Sequence, residues 1–178
     1  MTNSTVPNRP LASGSPPPTE SVQEWLASAH PSPAIACQEW DNETRLALIP
    51  LGRLLDAVRL SEALIHSVAG VSDPSTVNGW LGWSFNRGPV IHDPERHRYY
   101  ALVPPGTAQD WRAPAAACLG EGTYLGVPRT DLTELDERTR CSYWAVPMTR
   151  PGRLCKANDV LALVMAGHDP ADDGEGQS

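Results

Sequence analysis

Two spacings of apolar residues alternate along the chain. Short apolar or alternating runs stand at 46–49, 54–60, 89–91, 98–103, 124–127 and 142–146. Runs of that length, bounded by Pro, Gly or Asp, predict strands. Between them apolar residues recur three and four apart, the period of a helix face. Ser21 and Glu24 form a capping box ahead of Val22, Trp25 and Leu26, which predicts a helix over 22–29. Ser32-Pro33 starts another, with proline in the first turn and Ile35, Cys37 and Trp40 on its apolar side. Ser61 caps a helix over 62–69 that Gly70 ends. Asp73-Pro74 opens the most aromatic helix, with Val77, Trp80, Leu81, Trp83 and Phe85, read as a packed core face. A short helical turn follows at 107–112, and the last helix covers 157–166 with Val160, Leu161, Leu163 and Val164 toward the core. The small apolar stretch 113–118 is compatible with more than one state. In 130–139 acids and bases nearly alternate, the pattern of a solvated loop.

The chain is organised around residues 88–128. Two strands flank His92-Asp93-Pro94-Glu95-Arg96-His97, where Asp-Pro favours a turn because proline sets φ and the carboxylate bonds the backbone beyond it. This predicts a hairpin with a polar tip, ended by Pro104-Pro105-Gly106 because proline cannot donate to a ladder. Gly52-Arg53 reads as a turn between the strands at 46–49 and 54–60, and Gly120-Glu121-Gly122 as a tight turn before the strand at 124–127. Helices grouped between short-linked strands predict an α+β single domain, with an antiparallel or mixed central sheet and helices packed on it.

Length and composition set the frame. A chain of 178 residues with 40% hydrophobic content suits one domain, placed at 21–168. The Pro/Ser-rich stretch 1–20 and the acidic stretch 169–178 have too few large apolar groups to offset ordering entropy, so they are expected to be disordered tails. No apolar run approaches the ~18 residues of a membrane span, and the first residues lack a secretory signal's apolar core, so a cytoplasmic location is expected. Cys37, Cys118, Cys141 and Cys155 form no C-x-x-C pair and read as buried free thiols. Net charge is −7; Asp169, Asp172, Asp173 and Glu175 supply −4, leaving −3 elsewhere. That balance argues against strong generic attraction to nucleic acid.

Candidate chemistry is sparse. The phosphate-loop, dinucleotide, nucleophile-elbow and zinc-protease motifs are all absent. His92, Asp93 and His97 fall within six residues and are of metal-ligand type, yet an exposed polar hairpin tip explains them without a ligand. Asp56 shares a strand face with Val58. A carboxylate among apolar residues needs a partner, and Arg53 and Arg59 nearby suggest a structural salt bridge.

Leu51-Gly52-Arg53-Leu54-Leu55-Asp56-Ala57-Val58-Arg59-Leu60-Ser61, Arg96-His97-Arg98-Tyr99-Tyr100-Ala101-Leu102-Val103-Pro104-Pro105-Gly106 and Gly120-Glu121-Gly122-Thr123-Tyr124-Leu125-Gly126-Val127-Pro128, with the strand at 143–147, appear in that order over 46–147. This succession resembles the short actinobacterial relatives of the bifunctional DNA primase/polymerase (Prim-Pol, archaeo-eukaryotic primase-like) domain. The resemblance implies an RNA-recognition-like α+β core. It makes Asp56 the first catalytic, metal-binding acid and His97 the histidine near the nucleotide phosphates, both across one concave face. It also implies a ligand surface of Arg53, Arg59, His97, Arg98 and Tyr100. Where the family has a second acid this chain has Val58 or Arg59, and no aspartate precedes Gly120 to match the third. The implied function is a degenerate domain, without polymerase activity, that binds nucleotide or single-stranded nucleic acid. Mg or Mn is implied only if nucleotidyltransferase chemistry survives. The alternatives are a small protein-interaction or regulatory module, with its sheet or aromatic helix docking a protein partner, and an active enzyme whose acids lie elsewhere.

Overall fold

Local signals place the elements. The computed structural model describes residues 20–168, so the stretches expected to be tails lie outside the described residues, apart from residue 20. In chain order the elements are α1 (Val22–Ser28), α2 (Pro33–Asp41), β1 (Leu46–Pro50), β2 (Asp56–Ser61), α3 (Glu62–Ala69), α4 (Pro74–Ser84), β3 (Val90–Asp93), β4 (Arg98–Val103), α5 (Thr107–Asp110), β5 (Ala117–Leu119), β6 (Tyr124–Pro128), β7 (Tyr143–Val146) and α6 (Ala157–Gly167). The Ser21 hydroxyl accepts the Glu24 N–H at 3.1 Å while the Glu24 carboxylate accepts the Ser21 N–H at 2.7 Å. Ser61 and Asp73 cap α3 and α4 by accepting the N–H groups of Leu64 and Thr76. Ser32 stands at its N-cap without a side-chain bond, so proline alone starts α2.

The fold is α+β. Five strands form one sheet in the order β5-β2-β4-β3-β7, and β1 and β6 form a separate two-stranded ribbon. Every pairing is antiparallel. Taken in chain order, β2, β3, β4 and β5 lie 4-1-3-2 across the sheet, the arrangement of the β-α-β-β-α-β motif. The consecutive strands β1 and β2 do not pair as the Gly52-Arg53 turn suggested. At that point the chain passes from one sheet to the other. The Leu51 N–H donates to the Thr123 carbonyl at 2.8 Å, and Gly52 adopts φ +97° against the backbone of Glu121. A Cβ on Gly52 would lie 2.6 Å from the Glu121 Cα, so only glycine permits the passage.

The period of two sorts the central strands onto two cores. Val58, Leu60, Tyr99, Ala101, Val103 and Val90 face helices α3, α4 and α6, against Ile65, Val77, Leu81, Phe85, Val160 and Val164. Ala57, Leu102, Ile91 and Trp144 face the other way, onto the ribbon and α1–α2, against Ile49, Val127, Leu26 and Trp40. Two buried indoles tie this second layer by backbone bonds. Trp40 Nε1 donates to the Val127 carbonyl and Trp144 Nε1 to the Pro128 carbonyl, each at 2.9 Å. The aromatic helix is core on one side only: Leu81 and Phe85 are buried, but Trp83 is 84% exposed. All four cysteines are free thiols, and only Cys155 is buried; Cys37 and Cys141 are exposed and Cys118 is intermediate. Among the described residues, no helix is long and apolar enough to cross a membrane.

Candidate functional site

Asp56 opens β2 on the helix-covered face, in line with Val58 and Leu60. It is 1% exposed. The Ala108 N–H of α5 donates to Oδ2 at 2.9 Å, and Oδ1 has no hydrogen-bond partner. The salt bridge suggested by the neighbouring arginines is not formed. Arg59, three positions on, projects from the opposite face because the strand alternates. Arg53 is exposed in the bend that precedes β2. Asp56 instead lines a cleft of about 420 Å³ with Gly120, Gln109, Glu121 and Thr123.

His97 stands elsewhere. Asp56 pairs with Val103 at one end of the β2–β4 ladder, and Arg98, next to His97, pairs with Ser61 at the other end. The two rows are separated by roughly 17 Å at about 3.3 Å per residue. The structure therefore does not bring Asp56 and His97 into one cleft. His97 has φ +55° at the end of the hairpin turn. Its backbone carbonyl accepts the Glu62 N–H at 3.0 Å, and its imidazole bonds Glu62 Oε2 at 3.0 Å.

Glu62, the first residue of α3, anchors a polar relay that no sequence motif marks. Its Oε1 lies 2.8 Å from His92 Nε2, and His92 Nδ1 lies 2.9 Å from the Tyr143 hydroxyl. Asn78 Nδ2 donates to that hydroxyl at 3.0 Å. With Asn78 donating, the Tyr143 O–H is free to donate to Nδ1, and Nε2–H then donates to Glu62. That direction satisfies every donor and makes His92 neutral. The ring stacks on Tyr99 at 4.1 Å between centroids. Burial pushes the His92 pKa down, and the Glu62 carboxylate only partly opposes this. Partial burial raises the Glu62 carboxyl, but the bonds from His92 and His97 outweigh it and hold the group below the ordinary glutamate value. The one available signal was parity: His92 alternates with Val90, a core residue. Its partners on α3, α4 and β7 come from distant parts of the chain.

The hairpin tip is exposed and polar at Glu95, Arg96 and His97, as expected, but the two residues before it belong to β3. His92 and Asp93 are buried and point to opposite faces. The Asp93 carboxylate is taken by the Arg96 guanidinium at 3.1 Å. Among the described residues, no group of three or more His, Cys, Asp or Glu is placed to hold a metal ion.

Three of the expected ligand residues do come together. Arg59 on β2 pairs directly with Tyr100 on β4, and Arg98 lies two residues from Tyr100 on the same face. All three are partly exposed, at the ladder end away from Asp56 and Arg53. Among the described residues, neither Arg59 nor Arg98 is engaged in an ion pair or side-chain hydrogen bond. No family model, curated protein or solved structure matches the chain. What the site can do rests on its own geometry. One ladder end presents two guanidinium groups beside a phenol ring. The other end presents a buried carboxylate in a cleft. At the same end as the guanidinium groups, on the opposite, helix-covered face, a carboxylate links two imidazoles.

Proposed function

We propose that this chain is a Prim-Pol-like domain that binds nucleotide or single-stranded nucleic acid through Arg59, Arg98 and Tyr100 and does not polymerise. One observation carries the reading: the antiparallel register sets two uncommitted guanidinium groups around one partly exposed aromatic ring. Guanidinium groups take phosphate oxygens, and a phenol ring is a stacking platform for a base. The strand order supports the assignment, since four-stranded sheets of this kind present bases with strand aromatics. The middle of the corresponding sheet face is covered by the ribbon and α1–α2, which restricts contact to the ladder end.

The residues present do not fit a two-metal centre. A divalent hard cation wants about six oxygens, and phosphoryl transfer wants acids clustered around two ions. Asp56 has one oxygen without a partner and no neighbouring set of ligands. No Mg or Mn step is assigned.

The test is fluorescence anisotropy with a labelled oligodeoxythymidine and a labelled nucleoside triphosphate across a salt titration. Binding is expected in the weak range of non-specific contacts. Arg59→Ala and Arg98→Ala should each flatten the salt slope by about 0.7, and Tyr100→Ala should weaken binding by roughly tenfold through lost stacking. Absence of binding at low salt, or binding indifferent to all three changes, overturns the proposal. A second reading, a protein-docking module, is favoured by Trp83, which stands 84% exposed beside the edge strand β7. Its mark is a stoichiometric partner that co-purifies with the wild-type chain and not with Trp83→Ser.

A further inference from the structure

The cleft at the far end of the ladder is separate from the arginine–tyrosine surface and has opposite chemistry. Its floor is Asp56, 1% exposed, with Oδ2 held by the Ala108 N–H and Oδ1 left without a partner. A buried polar atom without a partner is costly and rare in native proteins. The Asp56 side chain lines a cavity of about 420 Å³, within the size range of small-ligand sites. A Cβ on Gly120 would lie 2.7 Å from the Ala108 Cβ and 3.4 Å from Asp56 Oδ2, so a side chain there would crowd the carboxylate. Gln109, Thr123 and the Glu121 carboxylate stand around the cleft. Cys118 adds no further anion to Asp56 and Glu121: burial, with the Asp56 charge behind it, pushes its thiol up to about 12.

We infer that this cleft is a binding site for a small organic cation, a primary ammonium or guanidinium group whose N–H bonds Asp56 Oδ1. Oδ1, the carboxylate oxygen without a partner, is an acceptor for one N–H donor. A phosphate would meet the carboxylates of Asp56 and Glu121 there and no cationic side chain, so the nucleotide reading does not account for the cleft. A divalent metal would find one free oxygen where it needs several. A charged donor on a buried carboxylate is among the stronger hydrogen bonds, and it relieves the orphaned oxygen when it binds.

The experiment is isothermal titration of the full chain with agmatine, which carries both groups, and with ethylammonium. MnCl2 and inorganic phosphate serve as comparison probes. Saturable agmatine binding is expected, weakened by about tenfold or more in Asp56→Asn and unchanged in Arg59→Ala. Should Asp56→Asn fail to fold, Glu121→Lys provides the second arm. It changes an exposed residue and places a tethered ammonium at the rim, and it should weaken agmatine by a similar factor. No saturable binding by either amine overturns the inference. So does agmatine binding indifferent to both variants, or Asp56-dependent binding of Mn²⁺ in place of the amines. Loss of oligonucleotide binding in Arg59→Ala with agmatine binding intact separates this site from the proposed nucleic-acid surface.

Discussion

Replacing Glu62 tests the relay that holds the hairpin to α3. His92 is 3% exposed and its Nε2–H donates to Glu62. Glu62→Ala leaves that buried donor without an acceptor, a cost of roughly 1–3 kcal/mol. The His97 contact adds little, because its side chain is 72% exposed and such pairs contribute about 0–1 kcal/mol. Glu62→Gln keeps an acceptor and loses only the charge, so about 1 kcal/mol is expected. The pH dependence discriminates further. His92 has a folded pKa below its ordinary 6.5 because it is buried. Below that ordinary value the unfolded chain binds a proton that the folded chain does not, and stability falls as pH falls, by up to about 1.4 kcal/mol per pH unit. The fall ends once pH passes below the folded value. Glu62 charge keeps the folded value from dropping further, so Glu62→Gln widens the window and must cost more at its acid end than near neutrality. The contribution of Glu62 itself, whose folded pKa is lowered from 4.5, is present above 4.5 and is lost only as pH falls through its folded value. Urea unfolding followed by tryptophan fluorescence at both pH values measures each difference. A Glu62→Ala cost under about 0.5 kcal/mol, or a Glu62→Gln cost equal at the two pH values, would refute the relay.

Two further outcomes follow from packing. Gly52→Ala is expected to destabilise by roughly 2 kcal/mol or more from positive φ plus a clash with the Glu121 backbone. Gly70→Ala, at φ +72° with open space around it, should cost only about 1 kcal/mol; equal costs in denaturant titrations would contradict the contact at Gly52. Thiol labelling with Ellman's reagent should modify exposed Cys37 and Cys141 first. Buried Cys155, whose thiol burial pushes up to about 12, should react only on unfolding. Rapid labelling of Cys155 in the native chain would place it outside the core.

Much of the fold was legible because its signals are local. A serine before a helical run, a glycine after it and a proline within a turn each act over four residues or fewer. The expected caps at Ser21, Ser61 and Asp73 carry their bonds. Parity was legible too: Asp56 and Arg59, three apart on a strand, had to point to opposite faces. The sequence resemblance grouped them on one surface, and the alternation of the strand separates them.

Pairing was not legible in the same way. Residues 46–49 and 54–60 read as neighbouring strands, yet β1 finds its partner in β6, far along the chain, and β2 finds its partners in β4 and β5. Which strand pairs with which is settled by burial summed over two whole cores, and no short window contains that sum. The relay has the same origin. Glu62, Asn78, His92 and Tyr143 are unremarkable one by one, and they matter because three helices and five strands close over them. Backbone rules acting over a turn or less were enough to name the elements and their inward faces. The contacts that join Glu62 to His92, free one oxygen of Asp56 and set Arg59 beside Tyr100 depend on the packed sheet, because each is made between residues the chain keeps far apart until it folds.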